Sequence, residues 1–104
     1  MDECNEKSTA YRAVTFRDKD GVAQAPSAAS YRIDCMTSGT AIRAVTALTP
    51  AATIEIVLTP TDNAIQNQGN PRERRRLTVT GVYGASDQVI EQFDHDVVNL
   101  TFAP

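Results

Sequence analysis

From Thr9 onward the chain alternates apolar and polar residues in short runs, the period of strands that lay one face on a core. Within Tyr11–Phe16, Val14 and Phe16 share a face. Within Ser30–Cys35, Tyr31, Ile33 and Cys35 point inward while Arg32 and Asp34 point outward. Ala41–Leu48 reads as a further strand, with Ile42 and Val45 reaching the core, and Thr49-Pro50 ends it. Ala52–Thr59 is the most β-prone run, with Ile54, Ile56 and Leu58 on one side and Glu55 and Val57 on the other. Arg74–Tyr83 sets Leu77, Val79, Gly81 and Tyr83 on a single face. Gln88–Leu100 is long for one strand, so a bend or bulge is expected around Phe93–Asp96, with Thr101–Pro104 extending it.

Turn residues separate these runs. Arg17–Gly21 ends in Asp-Gly, a strong hairpin signal, because glycine readily takes positive φ. Ala25–Ala29 reads as a loop or an irregular edge piece, and Thr37–Thr40 and Gly84–Asp87 as turns. Thr61–Asn70 is polar throughout and holds the one place where a short helical turn is expected, near 61–66. Thr61 or Asp62 would cap it and Ile65 would tuck onto the core. Residues 1–8 are polar and aperiodic and predict a flexible tail. A single all-β domain of about seven strands is therefore expected over 9–104, as a two-sheet sandwich or a small closed barrel.

Composition narrows this little. A chain of 104 residues with 41% hydrophobic and 22% charged residues has room for one modest core and is not disordered. A net charge of −3 argues against a dedicated nucleic-acid binder. No apolar run is long enough for a membrane span, since Ala51–Leu58 is broken by Glu55 and bounded by Pro50 and Pro60. The acidic start Met1–Lys7 lacks the apolar stretch of a signal peptide, so a reducing cytoplasm is expected. There Cys35 reads as a small buried strand residue and Cys4 as a free thiol on the terminus, with a disulfide between them the alternative. Asn99-Leu100-Thr101 matches a glycosylation sequon, read as accidental.

Candidate chemistry is sparse. His95 lies between Asp94 and Asp96, but on a strand those carboxylates share a face that His95 does not, and a solvated strand histidine is expected. Cys4, Cys35 and His95 do not supply the closely spaced ligands of a zinc site. Asp18-Lys19-Asp20-Gly21 resembles the start of a calcium loop, yet lacks its sixth-position glycine and twelfth-position glutamate. Arg72-Glu73-Arg74-Arg75-Arg76 is either a patch for phosphate or an acidic partner, or the basic half of a cross-strand ladder. In the favoured ladder, Asp87, Glu91, Asp94 and Asp96 lie opposite. No catalytic, cofactor-binding or metal-binding residue is assigned, and no enzyme activity is expected.

Several segments carry a family resemblance: Tyr31–Thr40, Thr61–Asn67 with Asn70, Arg72-Glu73, Leu77-Thr78-Val79 and Val97–Leu100. Together they resemble small structural proteins of tailed-bacteriophage virions, across most of 9–102. The resemblance implies an immunoglobulin-like β-sandwich without the Cys…Trp…Cys core of antibody domains. It implies a non-enzymatic capsid decoration, or cement, protein that touches the major capsid protein or neighbouring virion proteins. Self-association in many copies and assembly in the host bacterial cytoplasm would follow. A head–tail connector or tail protein is the alternative, followed by a carbohydrate- or cell-surface-binding module and a cytoplasmic regulatory partner.

Overall fold

Strand-forming runs and turn signals become seven strands in a computed structural model that describes residues 3–18, 20–84 and 87–102. They are β1 (Glu3–Asn5), β2 (Ala10–Thr15), β3 (Ala28–Cys35), β4 (Thr40–Leu48), β5 (Thr53–Leu58), β6 (Arg72–Tyr83) and β7 (Asp87–Val98). One sheet has the order β1-β7-β6-β3-β4, and β2-β5 forms the other. Two separate sheets make this a sandwich rather than a barrel. Its plan is immunoglobulin-like: β7, β6, β3 and β4 take the places of strands G, F, C and C′, and β2 and β5 those of B and E. The positions that would flank β2 and β5 in the second sheet hold no strand among the described residues.

The longest elements set the shape. β6 and β7 pair without a break from Arg72 opposite Val98 to Tyr83 opposite Asp87, and the molecule is 47 × 22 × 19 Å. The bulge expected around Phe93–Asp96 is therefore absent from β7, where Asp94 and Asp96 lie in register with Arg76 and Arg74. The irregularity falls between β3 and β4, whose register shifts between Tyr31 and Ile33 and again between Ile33 and Asp34. Extra residues in one strand break the in–out alternation. Val45 accordingly faces solvent at 66% exposure, a correction to its expected place in the core, while Ile42 packs against the core as expected.

The core lies where alternation placed it. Val14 and Phe16 of the β2 segment and Ile56 and Leu58 of β5 face Ile33, Leu77 and Val79 of the larger sheet. Gly81 has a specific part here. A Cβ at that position would stand 2.8 Å from two ring carbons of Phe16, so bare backbone is what admits the ring.

The ends depart from expectation. Instead of a free tail, Glu3–Asn5 lies parallel on β7, opposite Asp96–Val98. Beyond it Lys7 adopts a positive φ of 58°, and its N–H donates to the Asn63 carbonyl at 2.9 Å. At the other end Leu100–Phe102 form a 3-10 turn rather than extending β7; the rest of the expected extension lies outside the described residues. The Arg17–Gly21 turn closes as expected, with Asp18 Oδ1 accepting from the N–H groups of Asp20 and Val22 at 2.9 and 3.0 Å. Gly84, at φ 66°, opens the turn to β7, whose positions 85 and 86 lie outside the described residues.

Candidate functional site

Extending the inward face of β6 backwards from Leu77 brings Arg75 and then Glu73 inside. Both side chains are fully buried and form an ion pair at 3.1 Å. Arg75 uses its whole fork. Nε donates to the Asp62 carbonyl at 3.3 Å, Nη1 to Cys35 Sγ at 3.1 Å, and Nη2 to the Ala64 carbonyl. Glu73 in turn accepts the N–H groups of Gln66 and Asn67 at 2.8 and 2.9 Å and the Asn70 side-chain amide at 3.0 Å. Burial alone would raise the Glu73 pKa, but those donors and the Arg75 guanidinium outweigh it and hold the carboxyl below its ordinary value.

The segment between β5 and β6 is thus wrapped around two buried charges. Its first turn is a reciprocal cap: Asp62 N–H donates to Thr59 Oγ1 at 3.3 Å while Asp62 Oδ2 accepts the Thr59 N–H at 2.9 Å. Thr59 does the capping, where Thr61 or Asp62 was expected. The result is one turn, closed by Asn63 N–H to the Thr59 carbonyl at 3.2 Å, without a helix beyond it. Ile65 is buried beneath it as anticipated. Arg43 of β4 holds Asp62 from the other side at 3.0 and 3.2 Å. Asn99 closes the far end, its Nδ2 donating to the carbonyls of Gln68 and Asn70 at 3.2 and 3.0 Å. That nitrogen is buried and engaged, so the sequon it begins is inaccessible in the fold.

His95 belongs to the same cluster. It is 3% exposed, which corrects the expectation of a solvated histidine, although Asp94 and Asp96 do lie on the opposite face. Asn63 Nδ2 donates to the Ser8 carbonyl at 2.8 Å, so its Oδ1 accepts from His95 Nε2 at 3.1 Å and assigns the proton to that nitrogen. Burial, then Arg75 and Arg12, push the His95 pKa down against the weaker opposing pull of Asp96 and Asp94. These acids and bases are satisfied by one another and by backbone. Their chemistry holds a loop in place.

The basic run divides. Arg76 forks onto Asp94 at 2.8 and 3.0 Å, and Arg74 reaches Asp96 at 3.2 Å, so the ladder exists where Asp94 and Asp96 were expected to supply it. Arg72 lies 2.7 Å from Glu3, a partner not anticipated because residues 1–8 read as tail. Asp87 and Glu91 take no part: they stand opposite Tyr83 and Val79. Arg75 alone turns inward. The period-two pattern already contained that signal, since Glu73, Arg75, Leu77 and Val79 share a parity that polarity obscured. Cys4 and Cys35 are both free thiols, Cys35 buried and Cys4 partly so in β1, where burial raises the Cys4 pKa.

What remains on the surface is edge and face. The outer row Ile90–Thr80–Ser30–Ala47 crosses the larger sheet without a charge, and Tyr11 stands opposite Val57 on the outer side of the smaller one. Both residues of that pair are exposed. Among the described residues, no group of three or more His, Cys, Asp or Glu could hold a metal ion. These features define an immunoglobulin-like all-β sandwich with open strand edges. Comparison with family models, curated proteins and solved structures returned no match.

Proposed function

We propose that the chain is a non-enzymatic structural protein of a tailed-bacteriophage virion, acting as a capsid decoration protein through protein–protein contacts. The observation that carries this reading is how the polar groups are spent. The buried acids and bases hold the 59–71 loop and most surface arginines pair within the sheet, while strand edges and one uncharged row across the larger sheet stay open to a neighbour. The resemblance of Tyr31–Thr40, Thr61–Asn67 and Val97–Leu100 to small virion proteins points the same way. The major capsid protein or an adjacent virion protein is the partner, in many copies per particle. The same surfaces would serve a head–tail or tail position, which is the second reading.

Quantitative mass spectrometry of purified, washed particles tests it. Decoration predicts the chain at a fixed ratio to the major capsid protein, of the same order as its copy number. A few copies per particle would move it to the neck or tail, and absence from washed particles would end the virion assignment.

A further inference from the structure

A sandwich that places no strand on the side of β2 away from β5, among the described residues, leaves an edge to account for. Phe16 N–H donates to the Ala52 carbonyl at 2.8 Å. In an antiparallel pair, residues of that parity face the partner strand and those of the other parity face away. The backbone groups of Tyr11, Ala13 and Thr15 therefore point away from β5, toward the open side. The facing edge is open as well. β1 covers β7 only at Asp96–Val98, leaving Asp87–His95 without an outer neighbour among the described residues.

Between these two edges lies a slot of about 160 Å³ with Val14, Thr15, Phe16, Arg17, Val79, Val89 and Glu91 around it, where Arg17 Nη1 is engaged with the Gly21 carbonyl at 3.1 Å. That is the size of a cavity known to take one benzene ring in an apolar core, so it holds one branched or aromatic side chain. Glu91 gives the slot its negative charge, across from Arg17. It stands opposite the fully buried Val79 and thus points to the core side of the sheet. It has no hydrogen-bond or ion-pair partner among the described residues, while Asp94 and Asp96 on the other face have theirs.

We propose that this slot receives an extended segment of another protein. The segment adds a strand to β2, inserts one apolar side chain between Phe16 and Val89, and sets a lysine or arginine against Glu91. Two unpaired edges supply main-chain hydrogen bonds, the slot reads alternate side chains, and the carboxylate selects charge. This docking does not depend on the virion assignment, because only the edges and Glu91 enter it.

The test is a selection from a displayed library of unstructured ten-residue peptides, run on the intact chain and on Glu91→Lys. Enriched peptides should alternate β-branched or aromatic residues with polar ones and carry a Lys or Arg. Their binding should weaken on the order of tenfold on Glu91→Lys, which should instead enrich acidic peptides. Hydrogen exchange with a bound synthetic peptide should slow the amides of Tyr11, Ala13 and Thr15. An enriched set without a basic residue, or one indifferent to Glu91→Lys, would overturn the proposal. So would protection confined to β4, or protection of the β2 amides that grows with protein concentration alone, which would make a second copy the occupant. Glu91→Gln, which keeps shape and removes charge, separates lost recognition from lost folding.

Discussion

Arg75 and Glu73, two residues apart on β6, form an ion pair with neither side chain reaching solvent. Their neighbours Arg74 and Arg76 form ion pairs on the opposite, solvent-facing side of the same strand. One basic run therefore contains two energetic regimes.

Removing one partner of the buried pair leaves the other charge uncompensated. Arg75→Met should lower unfolding free energy by about 3–5 kcal/mol, and adding Glu73→Gln should recover part of the loss. Arg74→Ala should cost no more than about 1 kcal/mol, because its ion pair with Asp96 is exposed to solvent. Urea denaturation of the four proteins checks this ordering, and equal losses for Arg74→Ala and Arg75→Met would refute it.

Acid should destabilise the fold in two stages. The folded pKa of His95 lies below its ordinary 6.5, so the unfolded chain takes up the proton first. Its contribution is complete above about pH 6.5 and is lost as pH falls from there through the folded value. Glu73 and Asp94, held below their ordinary 4.5 and 3.8, contribute stability that is lost only below those values. Melting temperature followed against pH should thus fall in two windows. His95→Gln should flatten the upper window and spare the lower.

Gly81→Ala should destabilise by about 1–3 kcal/mol through overpacking. The new methyl would meet the Phe16 ring at 2.8 Å. Phe16→Leu in the same background should restore part of the loss, as a shorter side chain vacates that contact. A purely additive double mutant would show that the ring is not what Gly81 accommodates.

Thr59→Ala removes the hydroxyl that accepts the Asp62 N–H and donates to Asp62 Oδ2. A cost of about 0.5–2 kcal/mol is expected, the range for losing such a cap. Thr61→Ala, exposed and outside the cap, should be near neutral. Thermal unfolding of the pair distinguishes them.

Alternation determined β2 to β7 and the inward faces of β3, β5 and β6, because a period of two is a local property of a pleated chain, and the turn residues themselves marked the turns at Asp20-Gly21 and Gly39. It also contained the inward parity of Glu73, Arg75 and His95, which their polarity made hard to credit. Only the tertiary structure decided that these groups are buried. Burying them requires the partners at Asp62, Asn63, Gln66, Asn67 and Asn70, which a loop brings up from elsewhere in the chain. The parallel seat of Glu3–Asn5 on β7 and the bulged pairing that turns Val45 outward are likewise long-range choices of register. So is the uncovered edge of β2 on the side away from β5, where no strand lies among the described residues: no local pattern shows which edge will go unpaired, since that depends on where every other strand has gone.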